Sequence, residues 1–197
     1  MRHGRKSSSQ RVNGYKRHVV RDLDSGLIRA CAVTPANQPE AQALPVMKRD
    51  LEEQGAQIGE LYIDRGYLSS PTVQEVIEDG GEVVCRPWIP RNRHGEFTKA
   101  DFQVDLEKMT VTCPGEQSRP ITKLGGSVQF LAEQCTPCPL RDRCSTRKDG
   151  RGRCIHIAED EPLQQHLQQY VATSEGRSRL RQRVPVEHSL AHIGARQ

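Results

Sequence analysis

Three groups of side chains in this sequence have the types and spacing that chemistry requires. Leu61-Tyr62-Ile63-Asp64-Arg65-Gly66-Tyr67 reads as a short apolar strand that ends on a carboxylate and turns at once. A carboxylate so placed can hold a metal ion, but not alone: Mg²⁺ takes one or two carboxylates plus substrate phosphates and keeps several waters. Arg183 and Glu187 stand four apart near the other end of the chain. On a helix they share a face, and by spacing alone they read as a surface ion pair worth roughly 0.3–0.5 kcal/mol. Cys113, Cys135, Cys138 and Cys144 form the third group, with a C-x₂-C pair at its centre and prolines on its flanks. Two thiolates on such a knuckle reach one tetrahedral Zn²⁺, and a strand end and a following turn can supply the other two. Neighbouring arginines favour thiolate over thiol. The same set also suits an iron–sulfur cluster, or four unligated thiols. Cys154 is a substitute ligand, whereas Cys31 and Cys85 lie in strand patterns and read as small buried apolar residues.

The elements that must position these groups follow from the hydrophobic pattern. Residues 1–11 are basic and Ser-rich and read as a flexible arm. Gly14 to Thr34 reads as a β-hairpin whose turn is made by Asp22, Asp24, Ser25 and Gly26. Leu44, Met47 and Leu51 recur at helical spacing up to about Gln54, with Pro45 either a kink or the true start. Ile58 to Ile63 is a strand, Ser70 and Pro71 open a helix with Val73, Val76 and Ile77 inward, and Glu82 to Cys85 is a further strand. The first ninety residues therefore read β-β-α-β-α-β. A basic loop with Trp88 follows, then a hairpin from Phe102 to Cys113, a strand at Val128 to Leu131, and helices from Glu161 and from Ser174 to Ile193.

Composition bounds the function class. At 197 residues, 35% apolar and 27% charged, the chain holds one ordinary domain with an appended module, thinly packed. Its net charge of +4 is gathered in blocks near residues 2–17, 141–153 and 177–183. One such block is an ordinary solvated face; three together point to a polyanion, DNA or RNA. No window is long and apolar enough for a membrane span, and no signal-peptide pattern opens the chain, so a cytoplasmic protein with reduced cysteines is expected.

The chain as a whole resembles the catalytic core of bacterial insertion-sequence transposases of the DDE class. The resemblance is carried by Gly14-Tyr15-Lys16-Arg17-His18, Val33-Thr34-Pro35-Ala36-Asn37, Ile63-Asp64-Arg65-Gly66-Tyr67 and Arg183-x₃-Glu187, and the Cys-rich stretch is similar to one branch of these enzymes. It implies an α/β fold: an RNase-H-like, integrase-type mixed sheet with flanking helices, split as 12–100 and 155–197 around a β-hairpin and zinc-ribbon-like insertion at 101–154. It also implies metal-dependent cleavage and transfer of DNA strands, with Asp64 as the second catalytic acid, Glu187 as the third and Arg183 as the arginine one turn before it. Asp64 and Glu187 would hold Mg²⁺ or Mn²⁺, and Lys16, Arg17, Arg91, Arg93, Arg179 and Arg181 are candidate DNA contacts. Intact relatives act on transposon ends and target DNA, with a homodimer as the assembly to expect.

The sequence departs from the pattern in ways that shape the expectation. No residue matches the family's first Asp, which lies on a strand upstream of the hairpin. Leu180 stands where the family has a tyrosine, and Gly194 where it has a basic residue; Pro185 precedes Glu187 by two. With the sheet order 3-2-1-4-5, the strand without a counterpart is the central one, which leaves its neighbours with unpaired edges or pairing with each other. The expectation is a chain truncated at both ends, incomplete and inactive alone. The competing expectation is a non-catalytic, zinc-containing nucleic-acid-binding module.

Overall fold

A computed structural model describes residues 3–5, 11–90, 92, 95–145, 150–184 and 186. Chain contacts divide it into two compact units, Met1–Arg86 with Leu167–Gln197, and Pro87–His166. The secondary structure is mixed α/β, made of small sheets and short helices.

In the first unit, β1 (His3–Arg5), inside the stretch expected as a flexible arm, pairs antiparallel with β2 (Arg11–Asn13) at its end. β3 (Tyr15–Arg21) and β4 (Ile28–Pro35) form the expected hairpin, from Tyr15↔Pro35 to Arg21↔Ile28. Its turn is built by side chains: the Asp22 carboxylate accepts from the Asp24 amide at 3.0 Å and the Ser25 hydroxyl at 2.8 Å. Those bonds hold the Asp22 carboxyl below its usual range, so Asp22 is committed to the turn. Cys31 sits on the open face of β4 and is exposed, contrary to the buried role its strand pattern suggested, whereas Cys85 is fully buried.

A 3₁₀ turn at Glu40–Ala43 leads into α1 (Leu44–Glu53). Pro45 falls in the first turn, where its missing N–H has no helical partner to lose, so it marks the start of the helix and not a kink. Leu44, Met47 and Leu51 are buried together with Ala30, Ala36 and Ala43. Next come β5 (Glu60–Tyr62), a 3₁₀ turn at Arg65–Tyr67, α2 (Pro71–Glu78) and β6 (Glu82–Val84). β5 and β6 are parallel in the register Glu60↔Glu82, Leu61↔Val83, Tyr62↔Val84, as a β-α-β connection requires. Ser70 does not cap α2 with its side chain as expected: Val73 bonds to its carbonyl, and its hydroxyl is buried without a partner.

The order β-β-α-β-α-β is thus present, but the single mixed sheet expected from it is not formed among the described residues. β3–β4 and β5–β6 are separate two-stranded sheets. Of the two outcomes foreseen for neighbours of the unmatched central strand, pairing with each other is not seen among the described residues.

The second unit packs around Phe102, Val111, Ile121, Val128, Phe130, Ile155 and Ile157. β7 (Gln103–Asp105), β8 (Thr110–Thr112) and β9 (Ser118–Pro120) make an antiparallel sheet. β10 (Ser127–Gln129) is followed by α3 (Ala132–Cys135) and α4 (Arg141–Cys144), and then pairs with β11 (Cys154–His156). β9 and β11 were not expected from the sequence: Ser118-Arg119-Pro120 has no apolar residue, and Cys154-Ile155-His156 has only Ile155 as a large apolar residue, between basic Arg153 and His156. α5 (Glu161–Ala172) begins in this unit, where Glu161 is buried on Lys99 and the Ala158 amide. α6 (Ser174–Arg181) then belongs to the first unit, with the Thr173 hydroxyl accepting from the Gly176 amide at 2.9 Å. The helix expected to run to Ile193 breaks at Gln182 and Arg183, and Val184 and Val186 are helical again.

Candidate active site

Strand alternation fixes the face on which Asp64 appears. Leu61 and Ile63 are buried at 8% and 6% exposure, so Glu60, Tyr62 and Asp64 share the opposite face. A tight turn follows: the Tyr67 amide bonds to the Asp64 carbonyl at 2.9 Å. A Cβ at Gly66 would crowd the Glu40 carboxylate, which would have to swing aside.

The motif pieces Gly14–His18, Val33–Asn37 and Asp64–Tyr67 meet at one buried polar group. His18, 2% exposed, lies with Nδ1 2.5 Å from the Tyr67 hydroxyl and Nε2 2.9 Å from the Thr34 hydroxyl. Burial raises the Tyr67 hydroxyl to about 12, helped by the Glu40 and Asp64 charges, so it stays protonated. Burial also lowers the His18 pKa. Lys16 ties the same region together, donating to the Gln38 carbonyl at 3.0 Å and pairing with Glu40 at 3.5 Å.

From the far end of the chain, Arg183 reaches Asp64. Its Nη1 lies 2.6 Å from the Asp64 carboxylate and donates to the Ile63 carbonyl at 3.2 Å. One turn earlier, Arg179 is fixed over the same strand. Its Nη1 donates to both Glu82 carboxylate oxygens at 2.7 and 2.8 Å and to the Tyr170 hydroxyl at 2.7 Å, and Nε donates to Tyr62 at 3.2 Å. Nη2 is charge-paired with Glu60 at 3.0 Å without hydrogen-bond alignment. Glu60 and Glu82 are register partners on neighbouring strands, and Arg179 offsets their repulsion. Together the Tyr62 hydroxyl and Arg179 hold the Glu60 carboxyl below its usual range.

A cleft of about 460 Å³ opens beside Asp64, lined also by Arg65, Arg86, Arg177, Leu180, Arg181, Arg183 and Val184. Among the described residues its one carboxylate is Asp64. A single acid does not hold a hard cation, and no three His, Cys, Asp or Glu side chains of the described residues stand in a metal-holding arrangement. Glu187, Arg91 and Arg93 lie outside the described residues. Of the remaining expected DNA contacts, Arg17 and Arg181 are exposed, whereas Lys16 and Arg179 are engaged as above. Arg65 and Arg86 are not among the expected DNA contacts, although Arg65 lies inside the motif, and Arg177 belongs to the basic block expected at 177–183.

The four cysteines of the central cluster line one small cavity of about 30 Å³ with Phe97, Phe130 and Leu140. Cys113 follows β8, Cys135 and Cys144 close α3 and α4, and the Cys138 amide bonds to the Cys135 carbonyl at 3.3 Å. A Cβ on Gly115 would stand 3.2 Å from the Cys138 sulfur and 3.7 Å from that of Cys113. Burial raises the Cys144 thiol; Arg153 opposes this, and Cys135, Cys113 and Cys138 add to it. For Cys144, then, the arginine effect expected from the sequence is outweighed. The four sulfurs share one wall with no carboxylate or imidazole among them, but as placed they do not stand in a metal-holding arrangement. Cys154 is exposed on β11 and does not line the cavity.

A family model for the transposase DDE domain matches residues 1–195. The chain belongs to that family. No curated protein and no solved structure matches it. The family's substrate is DNA, and its enzymes work with divalent metal ions such as Mg²⁺. No helix among the described residues is long and apolar enough to cross a membrane.

Proposed function

We propose that this chain carries the second and third acids of a DDE transposase site, Asp64 and Glu187, together with Arg183, on an incomplete RNase-H-like core. The observation that carries the reading is the 2.6 Å contact between Arg183 and Asp64, which joins the two motifs from opposite ends of the chain. Glu187 enters through its place in the Arg183-x₃-Glu187 motif. Bound divalent ions would supply an activated water or 3′-hydroxyl and stabilise the leaving oxygen at a DNA phosphodiester. Asp64 is an exposed ligand for such an ion at the end of a buried strand, and Arg183 offsets charge on the phosphate. Under this reading residues 12–100 and 155–197 form the core and 101–154 an insertion, in which Cys113, Cys135, Cys138 and Cys144 bind structural Zn²⁺.

The first acid has no counterpart here. The separate β3–β4 and β5–β6 sheets among the described residues support a core without a central strand bearing that acid. The 197-residue chain alone is therefore inactive in strand transfer. Incubation with labelled DNA and Mg²⁺ or Mn²⁺ is expected to give no cleavage, whereas cleavage abolished by Asp64→Asn would overturn the inactivity. Mn²⁺ titration followed by NMR line broadening tests Asp64 itself. Broadening is expected around Tyr62 and Tyr67 and is lost in Asp64→Asn; broadening that ignores this substitution removes Asp64 from the site.

A further inference from the structure

The sequence places Arg179 among the candidate DNA contacts, yet each nitrogen of its guanidinium faces another side chain of the protein. Glu82 and Tyr170 hold Nη1, Tyr62 holds Nε, and Glu60 faces Nη2, while the guanidinium stands 5.7 Å from the ring centre of Tyr62 and 5.6 Å from that of Tyr170. Glu60 and Tyr62 belong to β5, Glu82 to β6 and Tyr170 to α5. One side chain thereby ties α6 to both parallel strands and to the helix before it. The start of α6 is fixed independently, since a Cβ on Gly176 would strike the Tyr170 carbonyl, so the two helices meet there backbone to backbone.

What this tie controls lies one turn further on. Glu60, Tyr62 and Asp64 share one face of their strand. Four helical residues rise about 6 Å and two strand residues span about 6.6 Å, so an arginine anchored at Tyr62 brings the residue four positions later to Asp64. Arg183 is found there, 2.6 Å from the carboxylate and bonded to the Ile63 carbonyl. Regular helix breaks at Gln182 and Arg183, so the anchor just before the break decides where Arg183 falls. A slip of α6 by one residue turns it by about 100° and takes Arg179 from Glu82 and Arg183 from Asp64 together.

We propose that Arg179 is a positioning residue, which sets the register of the Arg183-x₃-Glu187 segment along β5 and so brings Arg183 onto Asp64. This rests on the transposase reading for the roles of Asp64 and Arg183. The task requires an arginine. Lysine keeps the charge but offers one nitrogen, which cannot grip Glu82, Tyr62 and Tyr170 at once.

The test follows the Nε–Hε cross-peak of Arg183 by heteronuclear NMR in the 197-residue chain, well below its melting transition. In the wild type, Asp64→Asn is expected to shift that cross-peak. In Arg179→Lys the cross-peak is expected to move toward the position of free arginine and to lose its response to Asp64→Asn, and in Glu82→Gln the response is expected to shrink. The control Ser178→Ala, an exposed change beside Arg179 on the same helix, is expected to keep the full response. An unmoved methyl resonance of Met47, buried on α1, shows that the first unit is folded in each variant. If Arg179→Lys fails that check, Glu82→Gln decides. A full response to Asp64→Asn in folded Arg179→Lys and Glu82→Gln would overturn the proposal, reduce Arg179 to a stabilising contact and leave the transposase reading standing. No response in the wild type would remove the Arg183–Asp64 contact itself, and with it the observation on which both readings rest.

Discussion

At the residue scale, the hydroxyl of Tyr67 and the imidazole of His18 explain why three separated motifs occur in one chain. His18 alternates inward on β3, Thr34 faces it from β4, and Tyr67 comes from the turn that places Asp64. Removing the hydroxyl with Tyr67→Phe leaves a buried ring nitrogen without its hydrogen-bond partner, which costs about 1–3 kcal/mol. The pair also sets a pH dependence. Burial lowers the folded-state pKa of His18 below its ordinary 6.5, so the unfolded chain takes the proton first as pH falls. The stabilisation is complete above about pH 6.5 and is lost as pH drops below it. Urea unfolding midpoints should therefore decline from pH 7.5 to pH 5.5, and more steeply in the wild type than in His18→Gln. Identical pH profiles for the two proteins would show that His18 titrates no differently when folded.

At the scale of elements, α6 divides its arginines by helical period. The sequence shows Arg177, Arg179, Arg181 and Arg183 as one alternating basic run, which reads as a single cationic surface. The structure turns Arg179 inward, where it is 16% exposed between Glu82 and Glu60. Arg179→Ala should destabilise the protein by about 1–2 kcal/mol, a modest figure because both glutamates remain partly exposed and solvent screens the pairs. The loss should shrink in high salt, and Arg179→Ala combined with Glu82→Gln should recover part of it in denaturant titrations. A salt-independent loss would mean that packing against Tyr62 and Tyr170, not charge, is what Arg179 provides. This division was not legible in advance, because it depends on the Glu60↔Glu82 register, a tertiary fact. The placement of Asp64 was legible, since a strand's two-residue period is written locally in Leu61 and Ile63. The helical spacing of Leu44, Met47 and Leu51 was legible locally too, whereas the sequence left open whether Pro45 kinks α1 or opens it. Arg65 and Arg86 belong to the cleft only through the pairing of β5 with β6, and no local pattern announces that.

At the scale of the whole molecule, the two units have separate cores, and only the second contains the cysteine cluster. Cys113, Cys135 and Cys144 themselves pack against the second core, so a metal drawing the four sulfurs together would tighten that core directly. The chain has a single tryptophan, Trp88, whose amide bonds to Gln164 at 2.8 Å within the same unit, which makes its fluorescence a reporter of that unit. His18 and Tyr67 report the first unit through their ring resonances. If Zn²⁺ is bound by the four thiols, metal analysis gives one equivalent per chain. Chelation, or Cys138→Ser, then lowers the Trp88 transition by at least about 10 °C, since each kcal/mol moves the midpoint of a domain this size by about 4–8 °C. The His18 and Tyr67 resonances should be unmoved at temperatures where the chelated second unit has melted, because no cysteine of the cluster belongs to the first core. Substoichiometric zinc with an unchanged Trp88 transition would leave the thiols as ordinary members of an apolar wall, and the DDE motifs of the first unit would keep their reading regardless.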